Sequence, residues 1–374
     1  MTRRRWFDLH RWVGLKLSIL MSVILISGTL AVVSHEIDWL IDPSLRVAPQ
    51  PAENRVSWGV MLAAVETAYP DDTVQSLTAP IDPWFAAEAL TIRPNGQARR
   101  VRVNPYTGAV QGEAGWTNAQ RILRDTHRRL MIPTGLGVIA VSLFSLLLLG
   151  SMISGLVVYR KFWRGFFRVP RDRDARTLWG DLHRLGGLWG LWFIAIIGLT
   201  GLFYLLEATA WRAAPFTFEE RAQPIDRAAL SPQAEPQPLD AMIAAAQTAA
   251  PGFRVQVVYP PKTAAEPLKL QGQRDAILVR DRANEVRVDP FSGDVLAVLD
   301  ATTLAPYQRI SEAADPLHFG YFGGFATKLL YLVFGVILSG MSLSGVYVYS
   351  ARIRRNGPVR DRAAPPFFEP GPAE

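Results

Sequence analysis

Four long apolar runs divide the chain. Residues 130–159, 185–206 and 329–351 contain no charged residue, and residues 12–34 contain only Lys16. A helix needs about 20 mainly apolar residues to cross roughly 30 Å of hydrocarbon. Each run therefore predicts a membrane-spanning helix, which excludes an ordinary soluble enzyme. Four spans are also too few for a typical transporter.

Two long polar regions, both expected on the outer side, separate run one from run two and run three from run four. Each region holds a short amphipathic helix, about 57–68 in the first and about 238–249 in the second, followed by strand-like alternation. Residues 103–110 and 288–295 both have the pattern strand, turn, strand, in which Pro sets φ and Gly supplies a positive φ. We expect each polar region to form a small α+β domain.

The chain has a net charge of +7, and its positive charges are unevenly distributed between the apolar runs and the segments beside them. Lys and Arg are concentrated in residues 1–12, 159–184 and 350–374, next to the ends of the apolar runs. Such a surplus is typical of the cytoplasmic ends of membrane helices. It therefore indicates orientation, with both termini in the cytoplasm, and argues against nucleic-acid binding. The first run is too long for the apolar part of a signal peptide, so we expect it to stay as a helix.

The chain also contains an internal repeat. Asp8–Leu15 reads DLHRWVGL before span one, and Asp181–Leu188 reads DLHRLGGL before span three. We therefore predict a polytopic α-helical membrane protein, a four-helix transmembrane bundle with two external α+β domains and an internal duplication. The expected segments are the N-terminus with helix one (1–35), external domain one (36–130), helix two (131–159), a basic loop (160–184), helix three (185–207), external domain two (208–326), helix four (327–350) and a cytoplasmic tail (351–374).

Candidate chemistry rests on histidine, since the chain has five histidines and no cysteine. Thiol nucleophiles, zinc–thiolate sites and iron–sulfur clusters are excluded. His10 and His183 begin spans one and three, while His127 and His318 precede spans two and four on the other side. His35 closes span one. Diagonal helices of an up-down bundle can face each other, so His10 would meet His183, and His127 would meet His318.

Facing imidazoles suit one cofactor in particular. Two of them can supply both axial ligands of a haem b iron, which needs no cysteine for attachment. A zinc site is less well supported, because each side of the membrane offers only two histidines and no clear carboxylate. Each span also carries a Ser/Thr-Gly pair, which either makes room for a flat macrocycle or simply packs helices closely. The pairs are Ser27-Gly28, Ser154-Gly155, Thr200-Gly201 and Ser344-Gly345, of which Gly28 and Gly201 are expected near the outer histidines and Gly155 and Gly345 near the inner ones.

Several arginines adjoin these histidines and are candidate partners for haem propionates, because guanidinium matches carboxylate geometry. Arg11 and Arg184 follow the inner histidines directly, although topology explains them equally well. Arg128 and Arg129 follow His127 on the outer side, where the preference of Lys and Arg for the cytoplasmic side does not explain them.

The combined motifs resemble those of the PepSY-associated transmembrane family. The shared features are the two DLHR openings, a histidine before each returning span, the Ser/Thr-Gly pairs, the SHEIDWL stretch, and the NPYTG and DPFSG turns. The resemblance covers roughly residues 5–350 and is strongest to inner-membrane siderophore reductases. It implies two haem b groups, two periplasmic PepSY domains, and axial-ligand roles for His10, His183, His127 and His318.

The resemblance leaves two questions open. His35 lies in the SHEIDWL stretch and is an alternative ligand on the outer side. The implied function is electron transfer from the cytoplasmic side of the inner membrane to a periplasmic ferric siderophore, releasing Fe(II). The donor would be a quinol or a cytoplasmic protein, since no dinucleotide motif is present. The alternative is a non-enzymatic membrane scaffold whose external domains bind or restrain a protein such as a protease.

Overall fold

The computed structural model describes residues 2–16, 18–159, 175–213, 235–263 and 265–355. Residues 160–174 of the predicted basic loop and 356–374 of the predicted tail lie outside this part of the chain. The helices are α1 (Arg3–Lys16), α2 (Ser18–Val32), α3 (Ser34–Ile41), α4 (Trp58–Ala68), α5 (Ala119–Arg129), α6 (Gly135–Ser142), α7 (Phe144–Val158), α8 (Ala175–Trp189), α9 (Leu191–Ala213), α10 (Leu239–Ala249), α11 (Pro306–Phe319) and α12 (Gly324–Arg355).

Three helical stretches in the described residues are long and apolar enough to cross a membrane. They are Gly135–Val158, Leu191–Thr209 and Gly324–Tyr347, and they coincide with predicted spans two, three and four. Helices α2 and α3 make a fourth span only if they count as one, because the chain bends by 67° between them. Span two begins at Gly135 because Leu130 and Met131 have positive φ and end α5 first.

The apolar helices pack side by side. Helix α12 contacts α2 and α8, and α7 contacts α1 and α9. Hydroxyl groups join α2 to α12: Ser22 lies 2.8 Å from Ser342, and Thr29 lies 3.1 Å from Ser339 between Oγ atoms. A Cβ on Gly335 would approach Thr29 Oγ1 to 2.7 Å. Small residues therefore allow close helix packing, as is common in membranes.

The two polar regions together form one antiparallel sheet of eight strands. Its spatial order is β4-β3-β2-β1-β5-β6-β7-β8. Gly108 and Gly293 have φ of 74° and 78° in the two predicted turns, which confirms the strand–turn–strand prediction at both places. The strands are β1 (Thr73–Thr78), β2 (Ala87–Ile92), β3 (Ala98–Val103), β4 (Val110–Gly115), β5 (Arg254–Tyr259), β6 (Leu268–Gln273), β7 (Asn284–Val288) and β8 (Val295–Leu299).

The two polar regions share their sheet and their core. Strand β1 pairs with β5 through Leu77 and Val258, so strands from both regions form one continuous sheet. Helices α4 and α10 supply Val65 and Ala246 to a single apolar cluster with strands of both regions. We expected two α+β domains, whereas their strands join edge to edge. The pairing satisfies backbone groups that β1 and β5 would otherwise expose at a free edge.

Candidate functional site

His10 and His183 come together at the ends of the apolar helices that lie away from the sheet. We call them the sheet-distal pair. His10 lies on α1 and His183 on α8, and their ring centroids are 6.3 Å apart with the ring planes at 88°. The two residues are 173 positions apart in sequence, and each lies in one copy of the DLHR repeat.

Each ring of this pair is anchored through Nδ1 to a neighbouring helix. His10 Nδ1 lies 3.1 Å from Ser151 O and 3.0 Å from Ser154 Oγ. His183 Nδ1 lies 3.0 Å from Met341 O and 3.2 Å from Ser344 Oγ. A carbonyl oxygen can only accept a hydrogen bond, so Nδ1 carries the proton in both rings. The lone pair of Nε2 is then free to bind a metal.

His127 and His318 form the second pair, at the ends of the helices nearest the sheet. We call them the sheet-proximal pair. His127 lies on α5 and His318 on α11, with ring centroids 6.0 Å apart and planes at 38°. His127 Nδ1 donates to Ile24 O at 2.8 Å. His318 Nδ1 lies 2.8 Å from Thr200 Oγ1, whose own hydrogen is donated to Ile196 O at 2.7 Å.

The sheet-proximal rings therefore have the same tautomer as the sheet-distal ones. Because Thr200 Oγ1 already donates its hydrogen, it accepts one from His318 Nδ1. Among the described residues, Nε2 of none of the four rings has a hydrogen-bond partner. Metal-ligating histidines almost always donate their second ring N–H in this way, which fixes the ring and raises its basicity.

Three of the four Ser/Thr-Gly glycines lie against a histidine. A Cβ on Gly28 would be 2.5 Å from His127 Cε1, so only glycine fits this position without movement. A Cβ on Gly155 would be 3.6 Å from His10, and one on Gly345 would be 3.7 Å from His183. A Cβ on Gly201 would meet Ser145 Cβ at 2.9 Å and no histidine, but Gly201 lines the same cavity as His127 and His318, near the outer pair as expected.

A cavity of about 600 Å³ opens beside the sheet-proximal pair. This volume falls within the roughly 300–1,000 Å³ of typical cofactor sites. Both rings of the pair contribute to its wall, together with apolar side chains and a small set of charged and hydroxyl groups. The polar and charged lining residues are Arg124, His127, Arg128, Ser142, Ser145, Tyr204, Glu207, Arg280, Asp315 and His318.

The predicted arginine partners differ in their surroundings. Arg11 pairs with Asp8 at 3.2 Å and Arg184 with Asp181 at 3.0 Å, so the DLHR motif supplies each cation with its own carboxylate. Arg129 pairs with Asp125 at 3.0 Å. Arg128 lines the cavity and has no ion pair within the described part of the chain. The cavity thus offers a free cation at the predicted position.

His35 does not join either pair. It lies on α3, beside the partly buried ion pair of Glu36 and Lys328, and within the described residues its ring contacts neither His127 nor His318. The chain bends by 67° between α2 and α3, just before this residue. Among the described residues, no group of three or more His, Cys, Asp or Glu is arranged to hold a metal ion.

The sequence did not reveal several neighbours of the pairs. Asp38 on α3 accepts from Asn118 Nδ2 at 2.7 Å and from Ala119 N at 2.8 Å, which caps the helix that carries His127. Arg280 and Asp315 form an ion pair at 2.6 Å beside His318. Burial alone would raise the pKa of Asp315, but the bonds from Arg280 and Tyr204 outweigh it and hold that pKa below its usual range.

Only some of the contacts around the histidines were foreseeable from the sequence. The Ser/Thr before each glycine was a signal for the hydroxyl partners of His10, His183 and His318. No signal of comparable strength marked Arg124 or Arg280, because arginines are ordinary in polar regions of a sequence.

Comparison with known proteins agrees with the motif resemblance. The profile of the family described as the PepSY-associated TM region matches residues 7–352. An uncharacterized protein of Pseudomonas aeruginosa is 28% identical over 250 residues. That alignment covers 62% of this chain and 63% of the relative, so the chain spans less than two thirds of the relative's length. The family match and the apolar helices together identify a membrane protein, and the chain belongs to the PepSY-associated TM family.

Proposed function

We propose that the chain is a membrane oxidoreductase that holds two haem b groups, one at each histidine pair. The observation that carries the proposal is the common state of the four rings, in which Nδ1 is anchored and Nε2 is free. When bound, haem supplies one-electron chemistry between ferric and ferrous iron. The protein's part is to hold the ligands, space the two sites and exclude water.

The spacing of the rings fits this role. With metal–imidazole nitrogen distances of about 2 Å, the two rings of a pair would be close enough to hold one metal ion between them. The centroids are 6.3 Å apart in the sheet-distal pair and 6.0 Å apart in the sheet-proximal pair. The cavity of about 600 Å³ beside the second pair supports the same assignment.

Carboxylate groups on such a macrocycle would need cationic partners. At the sheet-proximal pair we assign this role to Arg128, and add Arg124, which also lines the cavity. Neither makes an ion pair with a described residue, so neither must break one to bind a ligand. At the sheet-distal pair Arg11 and Arg184 remain candidates, although each would share its charge with Asp8 or Asp181.

The helix contacts support a four-helix bundle made by duplication. Helix α12 packs on α2 and α8, and α7 packs on α1 and α9. Spans one and three, which begin at His10 and His183, are therefore diagonal to each other in the proposed bundle. The basic ends of the apolar runs favour an inner-membrane orientation with cytoplasmic termini and a periplasmic sheet. Under this arrangement the sheet-distal pair faces the cytoplasm and receives electrons from a quinol or a protein donor.

We propose a ferric siderophore as the electron acceptor, on the strength of the motif resemblance. Hard oxygen ligands hold Fe(III) far more tightly than Fe(II), so adding one electron to the iron releases it from such a chelate. The sheet-proximal cavity lies on the proposed periplasmic side, which supports the second site as the one that would donate electrons to this substrate.

Haem content tests the proposal directly. The full chain, expressed with adequate haem and purified in detergent, should contain two haem b per chain in a pyridine haemochrome assay. His10→Ala combined with His183→Ala should remove one haem, while the control His35→Ala should keep both. A folded wild-type protein without haem would refute the proposal and favour the scaffold. Substrate choice is tested separately, by trapping Fe(II) after the reduced protein is mixed with ferric citrate or a ferric hydroxamate chelate.

A further inference from the structure

A chain of partly buried polar contacts connects the sheet to the helix that carries His318. Arg280 lies in the connection between β6 and β7 and donates from Nε to Asp315 Oδ2 at 2.6 Å. Its Nη1 donates to Glu312 Oε1 at 3.2 Å, and its backbone N–H donates to Glu312 Oε2 at 3.2 Å. Glu312 is fully buried. One guanidinium thus pairs with two carboxylates that lie one turn apart on α11, and it offsets part of their mutual repulsion.

Asp315 extends this chain of contacts to α9. The Tyr204 hydroxyl donates to Asp315 Oδ1 at 2.6 Å, and the Tyr204 ring lies 5.2 Å from the His318 ring at 72°. Thr200, one turn before Tyr204, accepts the hydrogen of His318 Nδ1. Helices α9 and α11 are therefore joined at two successive turns. His318 lies at the second of these junctions, where a shift of either helix changes the direction of Nε2.

The other ring of the same pair has no such connection within the described residues. Arg124 lies one turn before His127, at the place where Asp315 precedes His318. His127 is held by Ile24 O and by its close contact with Gly28, both on α2. The two rings of the sheet-proximal pair are therefore held by different contacts, and the contacts that run through Arg280 reach only His318.

We propose that Arg280 is a positioning residue for His318. It ties α11 to the sheet, and through Asp315 and Tyr204 it sets the orientation in which His318 presents Nε2 to the ligand site. This inference rests on the proposed haem function. It predicts that the loss of Arg280 weakens haem binding at one site and leaves the other unchanged.

The experiment uses the full chain loaded with haem in detergent. The rate of haem transfer to excess apomyoglobin and the electron paramagnetic resonance spectrum of the ferric protein are measured together. Arg280→Gln should release one of the two haems at least tenfold faster and alter one of the two ferric signals. His318→Ala identifies that component, because it should lose the same one. The matched control is Arg274→Gln, which breaks the 2.6 Å Arg274–Asp300 ion pair in the same sheet and should behave as wild type.

Two further variants separate positioning from general stability. Arg280→Lys keeps the positive charge but loses the planar guanidinium that bonds two carboxylates at once. It should give an intermediate rate of haem transfer from the same site. Tyr204→Phe removes only the hydroxyl that joins Asp315 to α9, so it tests the same connection if Arg280→Gln does not accumulate. Equal acceleration of both haems, or no change in either, would overturn the inference while leaving the proposed function intact. A wild-type protein without haem would refute both.

Discussion

Replacing Gly28 with alanine puts a methyl group against the imidazole of His127. The new Cβ would lie 2.5 Å from Cε1 and 2.6 Å from Nδ1, well inside van der Waals contact. The ring cannot simply turn aside, because its Nδ1 donates to Ile24 O at 2.8 Å. Either this hydrogen bond breaks or α2 and α5 move apart, and both outcomes displace Nε2.

The size of the effect follows from these two costs. Overpacking of a close contact costs about 1–3 kcal/mol, and a lost hydrogen bond costs about 1 kcal/mol. Because these two costs are alternatives, the effect is about 1–3 kcal/mol, which corresponds to a loss of roughly 5- to 150-fold in affinity at the sheet-proximal site, since about 1.4 kcal/mol is tenfold. The sheet-distal site has no contact with Gly28 and should keep its ligand.

Haem content per chain measures this prediction, and thermal unfolding shows whether the fold survives. Gly28→Ala should retain one haem of two after purification. Gly340→Ala is the matched control, since a Cβ there meets no atom within 4 Å and alanine stabilises a helix interior by up to about 1 kcal/mol. Two tightly bound haems in Gly28→Ala would show that His127 is not held as described and would refute the reasoning.

Three further predictions concern the supports of the histidines. Thr200→Val leaves His318 Nδ1 without an acceptor and should weaken binding of only the sheet-proximal haem. Ser154→Ala should have a smaller effect on the sheet-distal haem, because His10 Nδ1 still donates to Ser151 O. Haem transfer rates of the two variants measure the difference. Asp38→Ala removes the acceptor of Ala119 N and Gln120 N at the start of α5 and leaves Asn118 as the N-cap. It should lower the free energy of unfolding by about 1–2 kcal/mol, measured by chemical denaturation. Because the folded-state pKa of Asp315 is lowered, its stabilisation is present above the unfolded-state pKa and is lost as the pH falls through the folded-state value. Acid should therefore lower the melting temperature less in Asp315→Asn than in wild type, and equal acid sensitivity would contradict this.

The apolar runs and the repeat determined much of the architecture in advance. A stretch without charge can be recognised residue by residue, so spans two, three and four were placed to within a few positions. The turns at Gly108 and Gly293 are equally local, because they depend on a positive φ at one residue. The meeting of His10 with His183 was foreseeable because the repeated DLHR motif sets both at the same depth.

Contacts between distant segments were decided only by the tertiary structure. Periodicity indicates which face of a strand is buried but not which strand lies beside it, so the β1–β5 pairing that merges two regions into one sheet was invisible in the sequence. The same holds for His35, whose place beside Glu36 and Lys328, and not in either histidine pair, was decided by packing. The carbonyl partners of the histidines and the Arg280–Asp315 pair join residues far apart in the chain. Their geometry exists only once the helices have packed, because a hydrogen bond depends on tenths of an ångström that no residue pattern encodes.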